Sequence, residues 1–142
     1  MSETGLTVLI VEDEPIIRFT LADALEEAGY TVLEASNVLE AVATIGKVAN
    51  ISAVITDIDM PGGLSGLDLV RMIETCQEHM SVIVTSGGHS PDTLDLPNDV
   101  RFFSKPYHLD DIFFALRASI AGKVKSRRKR SMRLPGIQLS HP

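Results

Sequence analysis

Apolar and polar positions fall in blocks along this chain. Leu6 to Val11 is almost uninterrupted apolar sequence, the pattern of a strand covered on both faces, and it stops at Glu12-Asp13-Glu14. Pro15 follows, where a helix start loses nothing from the missing N–H. Ile16, Phe19, Leu21, Leu25 and Ala28 then give that helix an apolar side before Gly29 ends it. The unit recurs. Thr31 to Ala35 reads as a strand, Asn37 with Glu40 as a capping box, and Val38 to Lys47 as a helix. Ile51 to Asp57 is a third strand, followed by a glycine-rich loop and a helix from about Gly66 to Glu78 with Leu67, Val70, Met72 and Ile73 as apolar members. Ser81 to Thr85 and Arg101 to Ser104 are the fourth and fifth strands. Leu109 to Ala121 is the last helix, with Asp110 and Asp111 at its positive N-terminal end.

Five strands alternating with helices predict an α/β domain, a doubly wound parallel sheet with right-handed crossovers and helices on both faces. One crossover departs from the pattern. Residues 86 to 100 are short for a helical connection and hold Gly87, Gly88, Pro91 and Pro97, so the fourth helix is expected to be short or absent, with room for a turn around Pro91 to Leu94.

A length of 142 residues fits about one domain with a core large enough to need no disulfide. Cys76 is the only cysteine and is expected to be a buried structural thiol. The net charge of −6 divides unequally: residues 122 to 142 hold seven bases and no acid, leaving six bases against 19 acids in residues 1 to 121. The expected organisation is therefore a domain over 1–121 and a basic, disordered tail over 122–142. Such a tail fits contact with a nucleic acid or an anionic membrane, beside the plainer reading of a solvated extension. It is too short for a helix-turn-helix, so no direct sequence-specific DNA binding is expected. The N-terminus has no basic leader and no apolar run reaches the length of a membrane span, so the expected location is cytoplasmic.

The chemistry gathers at strand ends, where sites form in such sheets. Strand one ends at Glu12 and Asp13, strand three at Asp57, strand four at Thr85-Ser86-Gly87, and strand five at Ser104-Lys105-Pro106. Carboxylates brought together there repel one another unless a cation joins them, and hard oxygen ligands in an open site favour magnesium. These are the parts for phosphoryl transfer to an aspartate. Asp57 is the expected nucleophile, with Mg2+ held by Asp13 and Asp57 and through water by Glu12. Lys105 pairs with one phosphoryl oxygen and Ser86 donates to another. Thr85 adjoins Ser86, and strand alternation sends the two hydroxyls to opposite faces; spacing from the strand start favours Ser86. His79, His89, His108 and His141 show no metal spacing and are assigned no task.

Glu12-Asp13, Asp57 with Met60-Pro61, Gly66, Ser86-Gly87 and Lys105-Pro106 after an aromatic strand, in that order over about residues 6 to 121, resemble the receiver domains of two-component response regulators. The resemblance implies a flavodoxin-like fold with strand order 2-1-3-4-5. It also implies a phosphoryl group received from a sensor histidine kinase or a histidine phosphotransfer protein, and a switch that draws Ser86 toward the phosphoryl group while Phe102 turns inward. Asp59 then ligates magnesium through its backbone carbonyl, and its side chain acts on the water that hydrolyses the acyl phosphate. The loop Pro61 to Gly66 is one residue longer than is usual in the family.

The leading expectation is a stand-alone signalling receiver that catalyses its own aspartyl phosphorylation and dephosphorylation and controls a downstream protein. Whether it pairs as a homodimer is left open. The alternative is a haloacid-dehalogenase-like phosphohydrolase using Asp57 and Asp59 as nucleophile and general acid, with Lys105 on the phosphate. That reading leaves Glu12-Asp13 unexplained. A binding module that keeps the fold without the chemistry is disfavoured by the complete set of charged groups.

Overall fold

The computed structural model describes residues 4–133. Its elements follow in the order β1 (Thr7–Val11), α1 (Pro15–Glu27), β2 (Thr31–Ala35), α2 (Val38–Lys47), β3 (Ile51–Asp57), α3 (Gly66–Cys76), β4 (Ser81–Ser86), β5 (Arg101–Ser104) and α4 (Leu109–Arg133). All strand pairs are parallel, in the order β2-β1-β3-β4-β5. This is the expected flavodoxin-like sheet. Between β4 and β5 the chain forms only a 3-10 turn, Pro91–Thr93, as the glycines and prolines there dictate.

The sheet separates two apolar layers. Leu9, Val11, Val54, Val82 and Val84 meet α2 and α3, whereas Val8, Ile10, Ala53, Ile55 and Ile83 meet α1 and α4. Local chemistry fixes the helix starts. Asn37 accepts from the Glu40 N–H at 2.8 Å, and the Glu40 carboxylate reaches back one residue further than a capping box requires, to the Ser36 N–H at 2.7 Å. Ser65 and Asp68 form a reciprocal capping box at α3.

Four expectations are corrected. Ile16 and Phe19 are 80% and 52% exposed, because the buried stripe of α1 runs through Leu21, Ala22 and Leu25. Ala28 is exposed as well, at the C-terminal end of that helix. Cys76 is exposed, because it is the last residue of α3 and lies beyond the core contacts of Leu69, Val70 and Ile73. The last helix does not stop near 121 but continues to Arg133, so residues 122 to 133 of the expected disordered tail are helical. Extending a helix already packed through Ile112, Leu116 and Ile120 incurs no nucleation cost, and Lys, Arg and Met sustain it. Lys123 also ties it down, with Nζ 2.7 Å from Asp99 and 2.8 Å from the Glu78 carbonyl. Residues 134 to 142 of that expectation lie outside the described residues. Among the described residues no helix is long and apolar enough to cross a membrane.

Candidate functional site

β1 and β3 are adjacent in the sheet, so their carboxyl ends deliver Glu12, Asp13 and Asp57 to one place. One carboxylate oxygen from each lies within 4.8 Å of the others. Lys105 joins them from the end of β5, its Nζ 2.9 Å from Glu12 Oε1 and 3.0 Å from Asp57 Oδ2. Glu12 and Asp57 are each only 3% exposed. The surroundings hold each acid on its second oxygen too: Asp57 Oδ1 accepts from the Asp59 N–H at 3.1 Å, and Glu12 Oε2 from the Glu14 N–H at 3.1 Å.

Two carboxylates sharing one ammonium remain under-compensated. Burial, opposed by the hydrogen bond from Lys105, pushes the Asp57 carboxyl above its ordinary 3.8 and the Glu12 carboxyl above its ordinary 4.5. Burial alone would depress Lys105, but its hydrogen bonds and attraction to both acids outweigh this and raise it above 10.5. Hard oxygen donors that close, with charge left to neutralise, are a fitting donor set for a small divalent cation.

Gly66 fixes the position of the acceptor. A Cβ there would overlap the Asp57 carbonyl oxygen and stand 2.9 Å from both the Asp57 carbonyl carbon and Ile58 Cα. Gly66→Ala is therefore expected to lower stability by about 1–3 kcal/mol and to disturb the Asp57 turn. Urea denaturation checks it, and a midpoint equal to wild type would show that the turn yields without cost.

Two adjacent hydroxyls end β4, and the sheet sorts them. The register pairs Asp57 with Thr85, which therefore shares a face with Ile83 and the α1 and α4 layer. Ser86 lies on the other face with Val84, and Phe102, in register with Val84 on β5, is half-buried on that same side. Both hydroxyl residues are buried, but only the Ser86 hydroxyl hydrogen-bonds to the turn after Asp57. It donates to Asp59 Oδ2 at 2.7 Å and accepts from the N–H groups of Gly88 (3.2 Å) and His89 (3.0 Å).

Asp59 differs from the buried acids. Partial burial is outweighed by the Ser86 hydroxyl, His89 and the Gly88 and Gly87 N–H groups, which hold its carboxyl below the ordinary 3.8. His89 Nδ1 lies 2.9 Å from Asp59 Oδ1. Sequence reasoning misses His89, since only the fold of the loop after β4 returns it to the site. With its carboxylate committed to Ser86 and His89, Asp59 is placed poorly for the general acid of a phosphohydrolase.

The response regulator receiver domain profile matches residues 8–117. The chain is 32% identical over 109 residues to the response regulator receiver protein CpdR of Brucella abortus, covering 74% of this chain and 88% of that protein. It is 30% identical over 132 residues to the transcriptional regulatory protein FixJ of Azorhizobium caulinodans, covering 91% of this chain but only 62% of that protein. A receiver domain structure from Clostridium thermocellum superposes with a TM-score of 0.75 at 31% identity, covering 83% of this chain and 96% of that one. The comparisons lend no support to the phosphohydrolase alternative. With its 2-1-3-4-5 sheet and its acids and lysine at the strand ends, the chain belongs to the response regulator receiver domain family.

Proposed function

We propose that this chain accepts a phosphoryl group on Asp57 from the phosphohistidine of a sensor histidine kinase or a histidine phosphotransfer protein, in a magnesium-dependent reaction. The phosphorylated form then controls a partner protein. The observation that carries this reading is the convergence of Glu12, Asp13, Asp57 and Lys105 on one pocket. Asp13 and Asp57 would hold the metal directly, Glu12 through water, and Asp59 through its backbone carbonyl. Bound there, a divalent cation offsets charge on the phosphoryl oxygens during transfer. An Asp57 oxygen forms the new bond to phosphorus as the bond to the donor's imidazole nitrogen breaks, the electron pair staying with the imidazole. Lys105 meets a phosphoryl oxygen with the charge it now shares between Glu12 and Asp57. Intact mass after incubation with magnesium and acetyl phosphate tests the reading; absence of a phosphoryl adduct on the wild-type protein overturns it.

Ser86 is the hydroxyl proposed to bind the phosphoryl group, exchanging its bond to Asp59 for one to a phosphoryl oxygen. Its movement vacates space on the face it shares with Phe102, which makes these two residues the proposed switch. A hydrogen bond of ordinary strength is worth about 1 kcal/mol, so Ser86→Ala is expected to slow adduct formation roughly fivefold. Thr85→Ala is expected to slow it less, as measured by the initial rate with acetyl phosphate. The reverse order would transfer the role to Thr85, the residue paired with Asp57 in the ladder.

A further inference from the structure

Glu12 stands one residue past the end of β1, yet β2 still holds its backbone on both sides. The Glu12 N–H donates to the Ala35 carbonyl at 3.0 Å, and the Glu12 carbonyl accepts from an Arg18 Nη1 group at 2.8 Å. Arg18 comes from the start of α1, and its Nε donates to Glu34 Oε1 at 3.0 Å, on the residue before Ala35. One planar guanidinium thus spans the last carbonyl before Asp13 and a carboxylate on the neighbouring strand. The Arg18 side chain is only 14% exposed, against 38% for Glu34. The Glu12 carboxylate is held separately, by Lys105 and the Glu14 N–H. Asp13 is different. Among the described residues no hydrogen bond or ion pair holds its half-buried carboxylate, although one of its oxygens lies within 4.8 Å of oxygens of Glu12 and Asp57. Its direction is therefore set by its backbone, and the peptide plane that leads into it is the one whose oxygen Arg18 grips.

We propose that Arg18, pinned by Glu34, is a positioning residue for the acidic pair: it fixes the Glu12–Asp13 peptide so that the Asp13 carboxylate faces Asp57 and the pocket takes up magnesium tightly. This rests on the reading of the pocket as a magnesium site. Arg18 acts through the backbone, since its hydrogen bonds go to the Glu12 carbonyl and to Glu34. Charge and positioning predict opposite signs here. A guanidinium near a cation site repels the cation, so charge alone predicts that removing Arg18 tightens magnesium binding. Positioning predicts that its removal weakens binding. Without Arg18 the Glu12 carbonyl has lost its donor, the peptide turns to find another, and the Asp13 carboxylate swings with it. Loss of a group that orients metal ligands typically lowers metal affinity about 10–100-fold.

The test is magnesium affinity, measured by calorimetric titration of the whole chain with magnesium chloride. Arg18→Ala is expected to bind magnesium about tenfold more weakly than wild type, the lower end for a lost orienting group. Arg18→Lys keeps the charge but cannot span both partners, and is expected to recover only part of that loss. Glu34→Ala leaves the guanidinium unpinned and is expected to weaken binding less than Arg18→Ala, whereas Glu34→Gln, which loses the charge but keeps an acceptor for Nε, is expected to stay near wild type. With acetyl phosphate, the magnesium concentration giving half the maximal rate of adduct formation should rise about tenfold in Arg18→Ala. The maximal rate at saturating magnesium should stay near wild type, because Asp57 and Lys105 keep their own contacts. A merely structural arginine would instead lower the urea midpoint equally with and without magnesium and leave the affinity unmoved. Wild-type or tighter magnesium binding by Arg18→Ala overturns the inference; if that variant does not fold, wild-type affinity in Glu34→Ala overturns it. A wild-type protein that binds no magnesium overturns the magnesium reading along with this one, and one that binds it but takes no phosphoryl group overturns the acceptor reading alone.

Discussion

Asp57→Asn is expected to take no phosphoryl group and at the same time to make the metal-free protein more stable than wild type. The first effect follows from removing the nucleophilic oxygen. The second follows from the electrostatics of the pocket. Burial holds the carboxyls of Asp57 and Glu12 above 3.8 and 4.5, so each ionised form is less favourable in the folded protein than in the unfolded chain. At neutral pH both therefore subtract from stability. As pH falls through their raised values, the folded state binds protons that the unfolded chain does not, and that penalty is withdrawn. Replacing the Asp57 carboxylate by an amide removes one charge outright, keeps an acceptor for the Asp59 N–H, and leaves Lys105 paired with Glu12. The expected gain at pH 7 without metal is on the order of 1 kcal/mol, roughly 3–6 °C in Tm. The gap between variant and wild type should narrow as pH is lowered toward the ordinary carboxyl range. Calorimetry at several pH values in the presence of a chelator measures it. A variant less stable than wild type at pH 7 would mean that Lys105 compensates Asp57 fully.

The acids and the lysine are legible in the sequence because they stand where apolar runs end. In a parallel sheet of this order, strand ends one, three and five need no further information to meet. The hydroxyl is legible only in part. Strand spacing separates Ser86 from Thr85, but what each one touches depends on the stagger between β3 and β4, which begins at Ala53 opposite Ser81 and is set by packing across the sheet. The bond from Ser86 to Asp59 also needs the turn after Asp57, which no periodicity describes. His89 is invisible for a related reason, since a histidine beyond two glycines has no periodic position. Ile16 and Phe19 mislead because helical spacing marks an apolar side without saying whether the core reaches it, and at the N-terminal end of α1 it does not. The length of α4 escapes the sequence because residues 122 to 133 carry no apolar stripe, and a helix that grows from an anchored one needs none.

Magnesium is expected to raise the stability of the wild-type protein by about 2.7 kcal/mol when its free concentration is a hundredfold above its dissociation constant, and a chelator is expected to reverse this fully. A cation placed among Glu12, Asp13 and Asp57 relieves the repulsion that the single ammonium of Lys105 leaves uncompensated. Metal and proton compete for the same oxygens, because the carboxyls whose affinity for protons is raised are the ones the metal must bind. The stabilisation at fixed magnesium should therefore shrink as pH falls through the raised carboxyl values, the range in which the metal-free protein itself becomes more stable. Asp13→Asn separates binding in the pocket from a general salt effect, since it removes one of the three carboxylates and leaves the Lys105 pairs in place. It should lose most of the magnesium-dependent shift in a denaturation titration. Calcium, which takes more ligands at longer distances, should stabilise wild type less than magnesium at equal concentration. An undiminished shift in Asp13→Asn would place the bound cation elsewhere and remove the metal from this pocket.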